Sequence, residues 1–215
     1  MPFRLIIFDL DGTLADTQED LAGAVNATRA WVGLPPLDLS GIRAALGEGA
    51  KVLIERTVPF EGPVEEPLRY FIGWYGTHYA ERTRLYPGVV EVLEATRDRL
   101  RAVVTNKPER ISRKILQALG VAEHFVEVIG GDTLPVRKPD PAAVLALLRR
   151  HAVPPGEVLV VGDSPVDIAT ARAAGVKVAV VDSGYADPVA LKAAGANFLF
   201  PDLAGVGRLL TAGSP

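Results

Sequence analysis

Leu5-Ile6-Ile7-Phe8-Asp9-Leu10-Asp11-Gly12-Thr13-Leu14 stands close to the start of the chain. Its apolar residues do not alternate with polar ones, and the run ends on an acid. Such a run reads as a strand covered on both faces, the condition of strands in a parallel sheet between helix layers. Comparable Val- and Ile-rich runs fall at residues 102–104, 126–129, 158–161, 176–181 and 198–200, each bounded by Gly, Asp, Asn or Pro. Between them, spacing predicts helices over 89–100, 112–119, 141–150 and 165–174. Gly120 stops the second of these, and Gly175 closes the last. Pro141 and Pro165 follow Asp140 and Ser164 in the order of an N-cap and a first turn. Alternating strands and helices joined by right-handed crossovers make a doubly wound α/β sheet.

Residues 16–86 break this rhythm. The stretches 21–31, 39–46, 51–57 and 67–82 read as helices, and no strand run lies among them. Pro35-Pro36 and Glu61-Gly62-Pro63 mark turns, and Tyr86-Pro87-Gly88 marks the return to the sheet. The expected organisation is therefore a core of residues 1–15 and 87–215 carrying a helical insert at 16–86, with a frayed tail at 211–215.

Composition narrows the function. The 215 residues are 48% hydrophobic and 23% charged, which is globular usage. Lys+Arg number 23 against 26 Asp+Glu, a net charge of −3 that argues against a dedicated nucleic-acid binder. The absence of cysteine excludes disulfide scaffolds, thiolate metal sites and cysteine nucleophiles. His78, His124 and His151 are scattered and expected to be unrelated to chemistry. No apolar run reaches the roughly 18 residues of a membrane span. The first run is too short for a secretory leader, so a cytoplasmic protein is expected.

Ligands of an open parallel sheet bind beyond the carboxyl ends of its strands. Asp9-Leu10-Asp11-Gly12-Thr13, Thr105-Asn106-Lys107 and Gly162-Asp163-Ser164-Pro165-Val166-Asp167 all sit at such ends, and Arg137-Lys138-Pro139-Asp140 precedes a helix. Several carboxylates share a small site only with a cation or shifted ionisation. Mg²⁺ suits them, because it takes oxygen ligands and binds through one or two carboxylates plus a phosphate. A carboxylate beside such an ion can attack phosphorus, while a hydroxyl and a lysine hold the phosphoryl oxygens. Structural alternatives exist for each group. Asp11-Gly12 is a common turn pair, Thr105-Asn106 could cap a helix entered at Pro108, and Lys138 could be a solvated surface charge. Asp140 reads as an N-cap, and Ser164 with Asp167 has the spacing of a capping box.

In order, Asp9-Leu10-Asp11-Gly12-Thr13-Leu14, Thr105, Lys138, and Gly162-Asp163 with Asp167 resemble the four motifs of the haloacid-dehalogenase-type phosphohydrolases. The resemblance implies a Rossmann-like core with an α-helical cap inserted after the first motif. It implies that Asp9 is the nucleophile and Asp11 the acid and then the base. It also implies that Thr105, Asn106 and Lys138 bind substrate. Asp9, the main-chain carbonyl of Asp11, and Asp163 would hold Mg²⁺, with Asp167 supporting the site. The second acid, Asp11, favours phosphate monoesters over dehalogenation, since an alkoxide leaving group needs a proton.

A finer resemblance, to the phosphoglycolate phosphatases, rests on Val103-Val104-Thr105-Asn106-Lys107-Pro108, on Val128-Ile129-Gly130-Gly131-Asp132, and on Leu46-Gly47-Glu48-Gly49-Ala50-Lys51. Glu48 stands where that pattern carries Asn or Asp. The Gly47–Gly49 loop, with Arg43 or Lys51, is expected to meet a substrate carboxylate. The expected partner is a small phosphorylated metabolite, and the expected assembly a monomer or homodimer. Alternatives are another small-ester phosphatase, a pyrophosphatase, or a β-phosphoglucomutase-type phosphomutase. From a different class comes a phospho-accepting signalling module. That last alternative places its acceptor on a middle strand and lacks a large helical insert.

Overall fold

A computed structural model describes residues 3–212. Its main sheet is six-stranded and wholly parallel. The strands are β1 (Leu5–Phe8), β4 (Leu100–Val104), β5 (Glu127–Ile129), β6 (Val158–Gly162), β7 (Lys177–Val181) and β8 (Phe198–Phe200), in the order β5-β4-β1-β6-β7-β8. Every residue of β1 and β6 is buried, as uninterrupted apolar runs require. Ile6, Phe8, Val103, Leu159 and Val161 face one helix layer, formed by α5 (Val89–Ala95), α6 (Glu109–Ala118) and α10 (Leu203–Thr211). Leu5, Ile7, Val104, Val158 and Val160 face the other, formed by α7 (Ala142–His151), α8 (Pro165–Ala174) and α9 (Pro188–Ala194). The period-two alternation of β side chains thus splits one run between two cores. Strand β1 lies between β4 and β6, so crossovers leave it in both directions and open a crevice at its carboxyl end.

Residues 18–75 hold four helices: α1 (Gln18–Trp31), α2 (Leu39–Arg43), α3 (Ala50–Thr57) and α4 (Glu65–Tyr75). They share a third apolar cluster built from Leu21, Val25, Ile42, Leu53, Ile54 and Phe71. Leu21, Ala24, Val25 and Thr28 of α1 repeat at three and four and are buried there. The stretch differs from expectation in two ways. It contains β structure, because β2 (Ala15–Asp16) pairs antiparallel with β3 (Arg84–Leu85) where the chain leaves and rejoins the sheet. The helix expected over 67–82 spans Glu65–Tyr75 instead. Beyond it the carboxylate of Asp20 accepts the amides of Arg82 and Thr83 and the Thr83 hydroxyl, fixing an irregular return.

A second correction concerns residues 89–100. Helix α5 ends at Ala95, and Leu100 begins β4 in register with Leu5. The apolar residues of the helix, Val89, Val92 and Leu93, are followed after a turn by Leu100 of the strand, a change that periodicity alone does not separate. Helix α6 begins at Glu109 behind Pro108, and its first amide is accepted by Asp132 rather than by Thr105 or Asn106. The tail expected to fray is helical at Thr211, and residues 213–215 lie outside the described residues. Among the described residues no helix is long and apolar enough to cross a membrane.

Candidate active site

Asp9 follows the last residue of β1, and its amide donates to the Val161 carbonyl at 2.9 Å, which docks it against β6. The next turn needs Gly12, whose φ is +82°. A β-carbon there would lie 2.2 Å from a carboxylate oxygen of Asp163, so any side chain collides with the acid across the crevice. Thr13 is fully buried and donates its hydroxyl to Asp163 at 3.2 Å. The other Asp163 oxygen accepts the Tyr185 amide at 2.7 Å. Two loops from distant parts of the sequence therefore hold one carboxylate.

Lys138 reaches the same point from the segment before α7. Its ammonium lies 3.0 Å from Asp9 and 2.6 Å from Asp167, and its side chain is 4% exposed. The surface alternative for Lys138 is thereby excluded. Ser164 and Asp167 do form a capping box, so the helix-start reading of Asp167 holds. Its Oδ2 accepts the Ser164 hydroxyl at 2.6 Å, which leaves Oδ1 for Lys138. One side chain starts α8 and anchors the lysine.

Oxygens from Asp9, Asp163 and Asp167 lie within 4.8 Å of one another. Burial lifts the Asp9 carboxyl to about 6; Lys138 opposes the rise, and the charges of Asp167 and Asp11 add to it. Asp163 is pushed well above the usual carboxylate range, first by burial and then by Asp167 and Asp9. Lys138 is held above the ordinary ammonium value, because Asp167 and Asp9 outweigh the desolvation that works against its charge. Two buried acids that resist ionising beside one lysine are a set that a hard divalent cation fits. Both Asp167 oxygens are engaged with Ser164 and Lys138. Asp9 and Asp163 are thus the better placed carboxylate ligands.

Asp11 sits apart from this cluster. Its carboxylate accepts Lys107 at 2.9 and 3.0 Å and the Thr17 hydroxyl at 2.5 Å. Lys107 is buried and lies 4.8 Å from the ring centre of Tyr75 in α4. Burial works against its charge, yet the carboxylate of Asp11 keeps it above the ordinary ammonium value. Burial pushes the Tyr75 phenol up to about 12. Thr105 and Asn106, buried at the end of β4, line a cavity of about 280 Å³ with Asp9, Asp11 and Lys107. Leu21, Leu53, Phe71 and Tyr75 from the helical stretch form its apolar wall. Asn106 donates to the carbonyls of Gly47 and Lys138, tying the insert to the sheet edge.

The site residues expected from sequence thus converge, and the carboxylate-binding residues converge in part. Gly47 and Gly49 line the cavity. Arg43 donates to the Gly184 carbonyl at 2.5 Å and lines a wider opening of about 730 Å³ that also reaches Asp9, Asp11 and Asp163. Lys51 pairs with Glu65 at 3.2 Å on the surface and lines neither space. Glu48 pairs with Arg56 at 2.8 Å. His78, His124 and His151 line neither space. Sequence reasoning gave Lys107, though it stands at a strand end, no role, and it missed Tyr75 and Tyr185. Tyr185 follows β7 closely, so inspection of that strand's carboxyl end would have found it; its hydroxyl accepts the Thr17 amide at 2.7 Å.

Comparison with known proteins agrees with this geometry. The haloacid dehalogenase-like hydrolase family matches residues 6–181. A phosphoglycolate phosphatase of Chromobacterium violaceum is 40% identical over 200 residues, covering 88% of this chain and 90% of that protein. Another, of Rhodospirillum rubrum, is 40% identical over 220 residues, covering 96% and 90%. The crystal structure of a predicted phosphoglycolate phosphatase from Haemophilus somnus superposes with a TM-score of 0.91 at 35% identity, covering 96% of this chain and 97% of that one. With the acids gathered at the carboxyl end of β1 and the match running from that strand through β7, the chain belongs to the haloacid dehalogenase-like hydrolases and is a phosphatase among them.

Proposed function

We propose that the chain hydrolyses 2-phosphoglycolate, a small phosphorylated metabolite, through an aspartyl-phosphate formed on Asp9. The observation that carries this reading is the division of labour between two acids. Asp9 lies beside Lys138 at 3.0 Å, and Asp11 lies beside Lys107 at 2.9 Å. Asp9 attacks phosphorus while Lys138 and Thr105 hold the phosphoryl oxygens. As the P–O ester bond breaks, Asp11, protonated when the step begins, gives its proton to the leaving alkoxide. It then takes a proton from the water that attacks the aspartyl-phosphate, releasing inorganic phosphate and restoring Asp9. Asp9, the main-chain carbonyl of Asp11, and Asp163 would hold Mg²⁺. When bound, that ion offsets the charge gathered by the acids and the phosphoryl group. Residues 16–86 act as a cap over the leaving group, hinged at the β2–β3 ribbon. The relatives named for phosphoglycolate support the choice of leaving group.

A panel of phosphate monoesters with Mg²⁺ tests the substrate. The expected result places 2-phosphoglycolate among the highest kcat/KM values. A low rank there, with strong hydrolysis of other monoesters, removes the substrate and leaves the phosphatase.

The cation is tested by melting. Asp9 titrates near 6 in the fold against 3.8 in the unfolded chain, so the fold favours its protonated form. That contribution is present below about pH 4 and is lost as pH rises through about 6. Bound Mg²⁺ reverses the preference. Millimolar Mg²⁺ should therefore raise Tm clearly at pH 7.5 and little at pH 4.5. Equal shifts at both pH values would place the ion away from Asp9 and Asp163.

A further inference from the structure

Lys107 has more capacity than its visible partner uses. An ammonium carries three N–H donors. Here its hydrogen bonds go to the two oxygens of one carboxylate, Asp11, while the ammonium also lies over the Tyr75 ring. Its side chain is 5% exposed, so water does not readily supply the remainder. The Tyr75 hydroxyl is also buried and without a hydrogen-bond partner. Both residues line the cavity of about 280 Å³ that contains Asp9 and Asp11. Buried donors left unpaired are costly, and a polar ligand group commonly satisfies them. Arg110 is the other cation on this lining, and it is exposed.

Resting on the phosphatase reading above, we propose that Lys107 receives the carboxylate of a 2-phosphonooxy acid and selects that class of substrate. The spacing is suitable. Asp11 meets the ester oxygen in the proposed reaction, and Nζ lies 2.9 Å from Asp11 on the lining of the same cavity. In a 2-phosphonooxy acid two bonds separate the ester oxygen from the carboxylate carbon. The substrate carboxylate therefore reaches Lys107 while the ester oxygen stays at Asp11, and the Lys107–Asp11 pair need not break. Apolar walls of Leu21, Leu53 and Phe71 lower the local polarity and so strengthen the charge pair. In this proposal the buried ammonium of Lys107 takes the role expected from the sequence of Arg43 or Lys51. A site built around a buried charge rejects the analogue that lacks the matching group.

Calorimetric binding to the Mg²⁺-loaded protein tests the idea without turnover. The probes are 3-phosphonopropionate, which replaces the ester oxygen by CH₂, and propylphosphonate, which lacks the carboxylate. Wild type should bind the first at least about 10-fold more tightly. Lys107→Met should reduce that preference below about 3-fold, whereas Arg110→Met should keep it. Should Lys107→Met fail to fold, Lys107→Gln, whose amide still donates to Asp11, carries the same expectation. An undiminished preference in the Lys107 variants overturns the assignment and leaves the phosphoglycolate reading standing. Loss of preference in Arg110→Met overturns it in favour of the exposed cation. No preference in wild type removes the phosphoglycolate reading together with this subsite.

Discussion

Asp9→Asn abolishes turnover, with kcat falling by roughly 10⁴-fold or more, and leaves the fold intact. The two parts of this expectation have separate physical causes. Leu10 donates its amide to Oδ1 at 2.8 Å, and Lys138 approaches the same Oδ1 at 3.0 Å. An asparagine carbonyl keeps both contacts. Among the described residues Oδ2 has no hydrogen bond, and that atom becomes an amide nitrogen without nucleophilic character. The charge that disappears is one that burial resists, so the cation-free variant should melt no lower than wild type. Turnover is measured with 2-phosphoglycolate, and the trapped phosphoenzyme is mapped by peptide analysis. Substantial hydrolysis by this variant, or label on another residue, would sink the assignment of the nucleophile. A marked drop in Tm would instead show that the carboxylate contributes to folding through an interaction beyond Oδ1.

The core was readable because its chemistry is local. Uninterrupted apolar runs specify two-sided burial, and five of the six parallel strands occupy the expected places to within a residue, β4 alone starting two residues earlier. The acids sit where those runs end, so Asp9, Asp11 and Asp163 could be singled out from strand ends alone. Lys138 could not be placed by spacing. It reaches the crevice from an irregular segment, where Asp9 and Asp167 of α8 each turn one oxygen toward it. Lys107 shows the limit more sharply. It stands in the same short motif as Thr105, yet its role depends on Asp11 and on Tyr75 in α4. Neither partner is near it in sequence, and no periodicity encodes the meeting. The β2–β3 ribbon escaped for a related reason. Two-residue strands carry no pattern, and pairing of Ala15 with Leu85 is a long-range event. Exposed charges misled in the opposite direction. Lys51 looked available beside the Gly47–Gly49 loop, but Glu65 holds it at the surface.

Lys138→Met is expected to damage stability and turnover together, and added Mg²⁺ should separate the two effects. The ammonium is the shared counter-charge of Asp9 and Asp167, at 3.0 and 2.6 Å, with a side chain 4% exposed. Methionine fills a similar volume and leaves two buried acids unpaired. Breaking a buried pair from one side costs about 3 kcal/mol, here shared between a penalty on the charges and protonation of Asp9. The cation-free variant should accordingly melt well below wild type at pH 7.5, with a smaller deficit near pH 4.5, where burial keeps Asp9 largely protonated in the fold. Mg²⁺ held by Asp9 and Asp163 supplies a new counter-charge, so a millimolar concentration should recover part of the lost Tm. It should not recover activity. In the proposed reaction the ammonium donates hydrogen bonds to the phosphoryl oxygens as charge develops on them, and a cation elsewhere in the site does not reproduce that direction. The expected loss in kcat/KM is about 10³-fold with or without saturating Mg²⁺. Recovery of turnover along with Tm would reduce Lys138 to a counter-ion for the acids. An unchanged Tm without the cation would mean that Asp9 and Asp167 are solvated well enough to do without it.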